Sequence, residues 1–447
     1  MFEKCGWPHE KSGTERGLNV GRLVSVILGI GLLLAQTVSA GAKVSTVEHW
    51  HHGWAGDLVL NYLVEMKGEY ERANPNSRVA LLTVPGGDYA NKLVTATAAG
   101  VGPDLVEWWL GPTTAGVVSG MFEDLFPYVK RDGIKLNEFI PSAIDSYMWE
   151  DTLWGLPNSG YPFLTLYSQA VWDEAGLVDP YEQGDAWTWD SVISSGQKLV
   201  RKAAAQDAPD RYAVQVKFDC VHRTEVWAYQ AGGAFFDRPI NPTKSLFSSG
   251  PALSALTWLS ELVERGLVSP DYPQGTELVT GEVATLLWNG PQQVMSAAYQ
   301  PEPGRLNTTI GVAPLPRGPV HNGTFFITDG WMISSSSKSK EAAWQWLKYI
   351  ATDVNRSARF AQHTGRIPGM IRAIRAYLET LPEGLLHGHV IMDQTVASTT
   401  RVGLTQHINM DQIQAVLVEQ FGAVRDREQA PRIALELVHD RVSQLLN

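Results

Sequence analysis

An α/β fold with a mostly parallel sheet is the class this sequence predicts, and three observations carry it. From Val44 the chain alternates strand, turn and helix, the rhythm of βαβ units. The unbroken stretch Val79–Val84 suits a strand buried on both faces. Beyond an N-terminal leader of residues 1–40, the rest of the 447-residue chain is too long for one core, so two domains are expected.

The leader comes first. Arg22, the apolar run Leu23–Leu34 and the small-residue ending Val38-Ser39-Ala40 have the layout of a cleavable secretory signal, with Gly41 as the first mature residue. The apolar run is short of the about 20 residues a membrane span needs. No cysteine follows it, so a lipid anchor is not expected, and a periplasmic location is. Val44–His51 then reads as a strand broken by Gly53 and Gly56. Val59, Leu63, Met66 and Tyr70 mark one face of a helix ended by Asn74-Pro75. After Val79–Val84, Gly86-Gly87 predicts a turn and Asp88 a helix cap, the helix running through Leu93 and Ala96 to Gly100. Leu105-Val106 is the next strand. Ligands of such sheets lie beyond the strand ends, here Trp50–Trp54, Gly86–Asp88 and Glu107–Trp109. A second unit follows Gly155: strands at Phe163–Tyr167, Val283–Trp288, Ile310–Ala313 and Phe325–Ser334, with helices from Trp189, over Ala252–Glu264, and over Lys340–Ile350. Ala434, Leu437, Val438, Val442 and Leu445 keep helical spacing near the C-terminus.

Composition excludes several partners. Without residues 1–40 the chain holds 32 Lys and Arg against 44 Asp and Glu, a net charge of −12, which argues against nucleic acid and anionic membranes. Cys220 is the single cysteine beyond the leader, so no internal disulfide is expected there. Tryptophan stands out, with 15 of 16 beyond the leader; indoles stack on sugar faces and donate to hydroxyls, but they are also ordinary core residues. His49, His51 and His52 form a cluster with no companion Cys, His or Glu spacing elsewhere, so no metal site is assigned. No nucleophile elbow, H-E-x-x-H, phosphate loop or dinucleotide fingerprint occurs; no catalytic residue and no cofactor are expected.

Segments in a fixed order then resemble one family. They are Glu69–Val79, Gly87–Leu93, Ala98–Gly100 with Pro103–Val106, Leu153–Pro157, Leu166-Tyr167, Glu174–Leu177, Trp187–Asp190, Gln230–Gly233, Gly281–Ala284, Asn289–Pro291, Ala313–Pro316, Ala342–Trp344 and Thr364–Pro368. Together they resemble the family 1 extracellular solute-binding proteins of ABC importers, the group that includes maltose-binding protein. The resemblance implies a two-lobed α/β periplasmic-binding-protein fold with the ligand cleft between lobes, crossed near Pro157–Phe163, Thr328–Trp331 and Gly365–Pro368. It implies lobe 1 as 41–158 plus 330–364 and lobe 2 as 159–329 plus 365–447.

The same resemblance points to ligand-binding positions. Trp54 follows the first strand, and Trp108 occupies a place where the maltose-binding relative has an aromatic contact, with Glu107 beside it as a hydroxyl acceptor. Asp88 either caps its helix or binds. Tyr161 lies on the first crossing, Arg223 and Trp227 on a helix, and Trp288 at a strand end. Gln292 stands where some relatives have a stacking aromatic, so stacking there is expected to pass to Trp288. Asp329 and Trp331 pair a carboxylate with a ring, and Arg366 is a hydroxyl donor or an interlobe ion-pair partner. The expectation is a monomeric binding protein that takes a mono- or oligosaccharide to ABC permease subunits. The alternatives are a polyamine or a glycerol phosphodiester as ligand, or an exported carbohydrate-active enzyme using Glu107 and Asp329.

Overall fold

Strand β1 (Ser45–His51) pairs in parallel with β2 (Ser77–Thr83) from Ser45↔Ser77 to His51↔Thr83. Helix α1 (Asp57–Ala73) joins them, with Asp57 at its positive end and Arg72 in its last turn. It buries Val59, Leu63, Met66 and Tyr70, the face the spacing predicts, with Tyr62 added. The structure is a computed structural model; it describes residues 44–53, 57–109, 116–117, 119–201, 210–218, 221–270, 276–292, 308–381, 385–398, 405 and 407–447. The leader, Trp54 and Cys220 lie outside these residues, as do the side chains of Asp88 and Trp108.

Helix α2 (Gly86–Ala98) follows β2, and β3 (Leu105–Trp109) returns parallel to β1. The expected Gly-Gly turn and Asp88 cap are corrected here. The helix starts at Gly86 after Pro85, which makes no side-chain cap hydrogen bond, and Asp88 is the third helical residue. Proline with an extended ψ leads the chain into the helix, so the glycines belong to its first turn.

Helix α3 (Phe126–Asp132) leads to a two-residue hairpin, β4 (Met148–Trp149) and β5 (Thr152–Leu153), turned by Glu150 and Asp151 at φ 47° and 63°. Strand β6 (Leu156–Pro162) is separated by Phe163 alone from β7 (Leu164–Ser168), and here the chain leaves one sheet for another. Helix α4 (Trp189–Leu199) opens with a Thr188–Ser191 capping box and precedes β8 (Tyr212–Gln215). Helices α5 (Val221–Gln230) and α6 (Gly250–Glu264) come next, then β9 (Val283–Asn289) and β10 (Ile310–Ala313). Strand β11 (Phe326–Ile333) carries the chain back. Helices α7 (Lys340–Ala351) and α8 (Val354–Thr364) follow, and β12 (Ile367–Pro368) is the third crossing. Helices α9 (Met410–Arg425) and α10 (Pro431–Leu445) pack on each other and on α6. Leu437, counted on the apolar face of α10 by its spacing, is exposed.

The first sheet has the order β12-β6-β11-β3-β1-β2 and the second β10-β7-β9-β8. The three crossing segments are therefore neighbours, β6 running antiparallel to both β11 and β12. Their close packing explains Gly160, where a Cβ would lie 2.3 Å from the Phe326 ring and 2.4 Å from the Ile327 carbonyl oxygen.

Each sheet has its own helical cover. Over the first, α7 contacts β1 and β11, while α8 contacts α1, β6 and β12. Arg359 of α8 is ion-paired with Glu65 and Glu69 of α1. Asp132 of α3 accepts from Trp344 Nε1 at 2.9 Å and Lys348 Nζ at 2.7 Å on α7. Over the second, Trp189 stacks on Trp258 with centroids 4.6 Å apart, and Trp227 is 4.9 Å from Trp258. No helix among the described residues is long and apolar enough to cross a membrane.

Candidate functional site

The crossings build a buried polar cluster between the sheets. In β6 the ladder to β11 slips: Ser159 faces Asp329 and Pro157 faces Gly330, which leaves Asn158 as the bulged residue. A bulge re-aims its side chain. Here the Asn158 amide donates to Glu107 Oε1 at 3.0 Å, and Ser159 Oγ donates to Asn158 Oδ1 at 2.9 Å. Arg366, just before β12, forms an ion pair with Asp329. Its guanidinium carbon also lies 5.2 Å from the centroid of Tyr161. This carbon–ring geometry suits a cation–π contact.

The second sheet supplies the other wall. Strands β8 and β9 are parallel, so their C-terminal ends deliver Lys217 and Trp288 to one place. Lys217 Nζ stands 4.6 Å, and the Arg223 guanidinium carbon 4.5 Å, from the Trp288 centroid. Two residues past Trp288, Gly290 lies against Tyr161: a Cβ there would be 2.5 Å from the tyrosine's Cβ and Cδ2. His222 stacks on Phe163 at 6.2 Å and 30°, tying the start of α5 to the first crossing. Glu107, Tyr161, Lys217, Arg223, Trp288, Asp329 and Arg366 are each at most 6% exposed.

Burial sets the charge states. It lowers Arg366 to about 10, which leaves the guanidinium charged at neutral pH. His52 is held well below its usual value by burial, then by the charges of Arg366 and His51. Burial, with Arg223 and Lys217, does the same to His222. Tyr89 and Tyr147 are raised by burial and then by the negative charge of Glu107. The cluster is thus two carboxylates that accept, three cations that donate, and two aromatic faces. Trp288 Nε1 and Gln292 Oε1, both buried, have no hydrogen-bond partner among the described residues.

Six expected residues meet at this junction: Glu107, Tyr161, Arg223, Trp288, Asp329 and Arg366. Arg366 is ion-paired with Asp329, and both lie at the crossings of the first sheet. Gln292 sits at the turn after β9. Two tryptophans do not join them. Trp331 is buried beneath α7 and α8, 6.4 Å from His49 and 5.5 Å from Phe360 between centroids, so it is a core residue rather than a platform. Trp227 is equally buried in the Trp189–Trp258 cluster. Trp54 lies outside the described residues. Trp108 pairs with Gly330 in β3, and Asp88 lies in the first turn of α2.

Sequence reasoning missed Asn158, Lys217 and Tyr147. An Asn-Ser pair inside the first crossing, and a lysine two residues past a strand end, were the available signals. The β1 histidines go to separate partners: His49 Nδ1 accepts from Trp346 Nε1 at 3.1 Å, and His51 Nε2 bonds Thr83 Oγ1 at 2.7 Å. His52 meets the Tyr89 ring edge-on at 5.6 Å.

Known proteins share this architecture. A Brucella abortus (strain 2308) chain described as a binding protein is 25% identical over 353 residues, 77% of this chain and 80% of its own length. An ABC substrate-binding protein of Listeria monocytogenes, solved with cycloalternan, superposes with a TM-score of 0.76 at 19% identity, over 90% of this chain and 99% of that one. The sugar-binding protein MalE of Xanthomonas citri does so with a TM-score of 0.73 at 22% identity, over 90% and 97%. The profile of the bacterial extracellular solute-binding proteins matches residues 57–356, and the chain belongs to that family.

Proposed function

We propose that this protein captures a carbohydrate between its two sheets and delivers it to the permease subunits of an ABC importer. The observation that carries the reading is the buried junction itself: carboxylates, cations and aromatic faces converge from both sheets where the chain crosses between them. Sugar hydroxyls need acceptors and donors in fixed places, which Asp329, Glu107 and Arg366 supply, and apolar ring faces, which Tyr161 and Trp288 supply. The cycloalternan complex and the sugar-binding relative agree with this class of ligand. Trp54, Asp88 and Trp108, to which the family resemblance points, are kept in the reading as further proposed ligand contacts.

In this reading the two lobes are 41–158 plus 330–364 and 159–329 plus 365–447, closing on the ligand about the three crossings. The protein is exported behind a cleaved leader, acts as a monomer in the periplasm, and turns over nothing. Thermal unfolding of residues 41–447 with mono- and oligosaccharides, polyamines and glycerol phosphodiesters tests this. A ligand at 100 times its Kd adds about 2.7 kcal/mol of stability. Stabilisation by a carbohydrate, recovered chemically unchanged, is expected. A response to polyamines alone defeats the carbohydrate reading, and a hydrolysed sugar defeats the transport reading.

A further inference from the structure

Asn158 stands where the chain first crosses between the sheets, and its side chain is held at both ends. An ionised carboxylate only accepts, so the amide nitrogen faces Glu107 Oε1 at 3.0 Å, and the amide oxygen accepts from Ser159 Oγ at 2.9 Å. The backbone is fixed as well. Asn158 O accepts from the Gly369 N–H at 3.0 Å, and Ser159 O accepts from Thr328 Oγ1 at 2.9 Å, which ties the bulge to the segments of both other crossings. The fit at Gly369 is tight: a Cβ there would lie 2.5 Å from the Pro157 carbonyl oxygen. Glu107 lies on β3, and β11 separates β3 from β6, so the two side chains meet across an intervening strand, backbones about 9.5 Å apart. Such a contact is no part of the ladder. It exists because the bulge breaks the register and re-aims Asn158. Both residues are buried. A glutamate side chain has several rotatable bonds; a fixed donor on one oxygen sets the plane of its carboxylate, and so the direction in which it accepts other hydrogen bonds.

We propose that Asn158 is a positioning residue for ligand capture: it holds the Glu107 carboxylate in the orientation from which that group accepts a sugar hydroxyl. This rests on the carbohydrate reading and deepens it. Asn158 acts through Glu107, and its anchors on the crossings align the carboxylate with the junction between the sheets.

Calorimetric titration of the protein with maltose, mannobiose, mannotriose, tagatose and ribitol finds a ligand among them for a double-variant cycle. With that ligand, Asn158→Ala should weaken binding about tenfold, the worth of a hydrogen bond to a charged group. In a Glu107→Met background, which removes the carboxylate at similar size, the same substitution should change affinity less than about twofold. A purely structural role for Asn158 would not produce this coupling, because its loss would weaken binding in either background. Asn158→Leu, close in shape but without the donor, repeats the comparison, so one misfolded variant does not blunt the test. Equal losses in both backgrounds would show that Asn158 supports the crossing and not the carboxylate. No loss beside an intact Glu107 would show that the carboxylate needs no alignment. Either result overturns this proposal and leaves the carbohydrate reading standing. A panel of which no member binds overturns both.

Discussion

Asp329 and Arg366 show what single residues decide. The pair is buried on both sides, so removing one partner strands the other's charge in a low-dielectric site. Asp329→Ala should cost about 3–5 kcal/mol in urea unfolding, and the double variant Asp329→Ala with Arg366→Met less than the sum of the singles. An additive double variant would mean that the two charges do not depend on each other. The tryptophans divide differently. Trp227→Ala and Trp331→Ala should each lower stability by about 3–5 kcal/mol, as expected for an emptied core site, whereas Trp288→Ala should chiefly weaken ligand binding. Unfolding curves and titrations of the three variants separate these outcomes. Trp331 and Trp227 also show what the sequence could not reveal. Each shares its element's face with a residue of the junction, two along β11 from Asp329 and four along α5 from Arg223. Alternation and helical periodicity report a side chain's face but not its depth. Two strand residues are about 7 Å, and four helical residues about 6 Å, enough to pass from the cleft wall into the core.

Strand β1 carries its own prediction. His49 and His51 lie on it and His52 follows it, all three buried. Burial lowers His51 to about 4 and holds the other two well below the usual 6.5. Between these values the unfolded chain binds protons that the folded chain refuses. Stability is therefore complete above about pH 6.5 and falls as the pH drops through about 4. Thermal midpoints between pH 7.5 and 4.5 should decline along this window, and His51→Gln should flatten part of the slope. A midpoint unchanged down to pH 4.5 would show that these imidazoles are not held neutral. Elements with long periodic patterns, α1 above all, were legible in the sequence, as was the parallel pairing around β1. The start of α2 was not, because Gly86-Gly87 reads as a turn until Pro85 is seen to lead directly into the helix. The bulge at Asn158 was invisible for a different reason: it exists only in the register between β6 and β11.

At the scale of the whole molecule, two sheets meet around three adjacent crossings, and Gly290 is one point where they come close. Asn289-Gly290-Pro291 is one of the segments that carry the family resemblance, but only the fold shows that Tyr161, from the other sheet, occupies the space a side chain would need. A Cβ at Gly290 would meet the stiff Cβ and ring of Tyr161, with no flexible chain end to yield. Gly290→Ala should therefore disfavour the arrangement in which the two sheets meet while leaving each sheet's own core intact. If the closed population falls to about one tenth, the apparent Kd rises about tenfold. Titration should show that loss of affinity, small-angle scattering should show less compaction on adding ligand, and the urea midpoint should move little. Wild-type affinity in Gly290→Ala would mean that the Tyr161–Gly290 contact is absent from the ligand-bound form. The cleft would then close about some other line of residues.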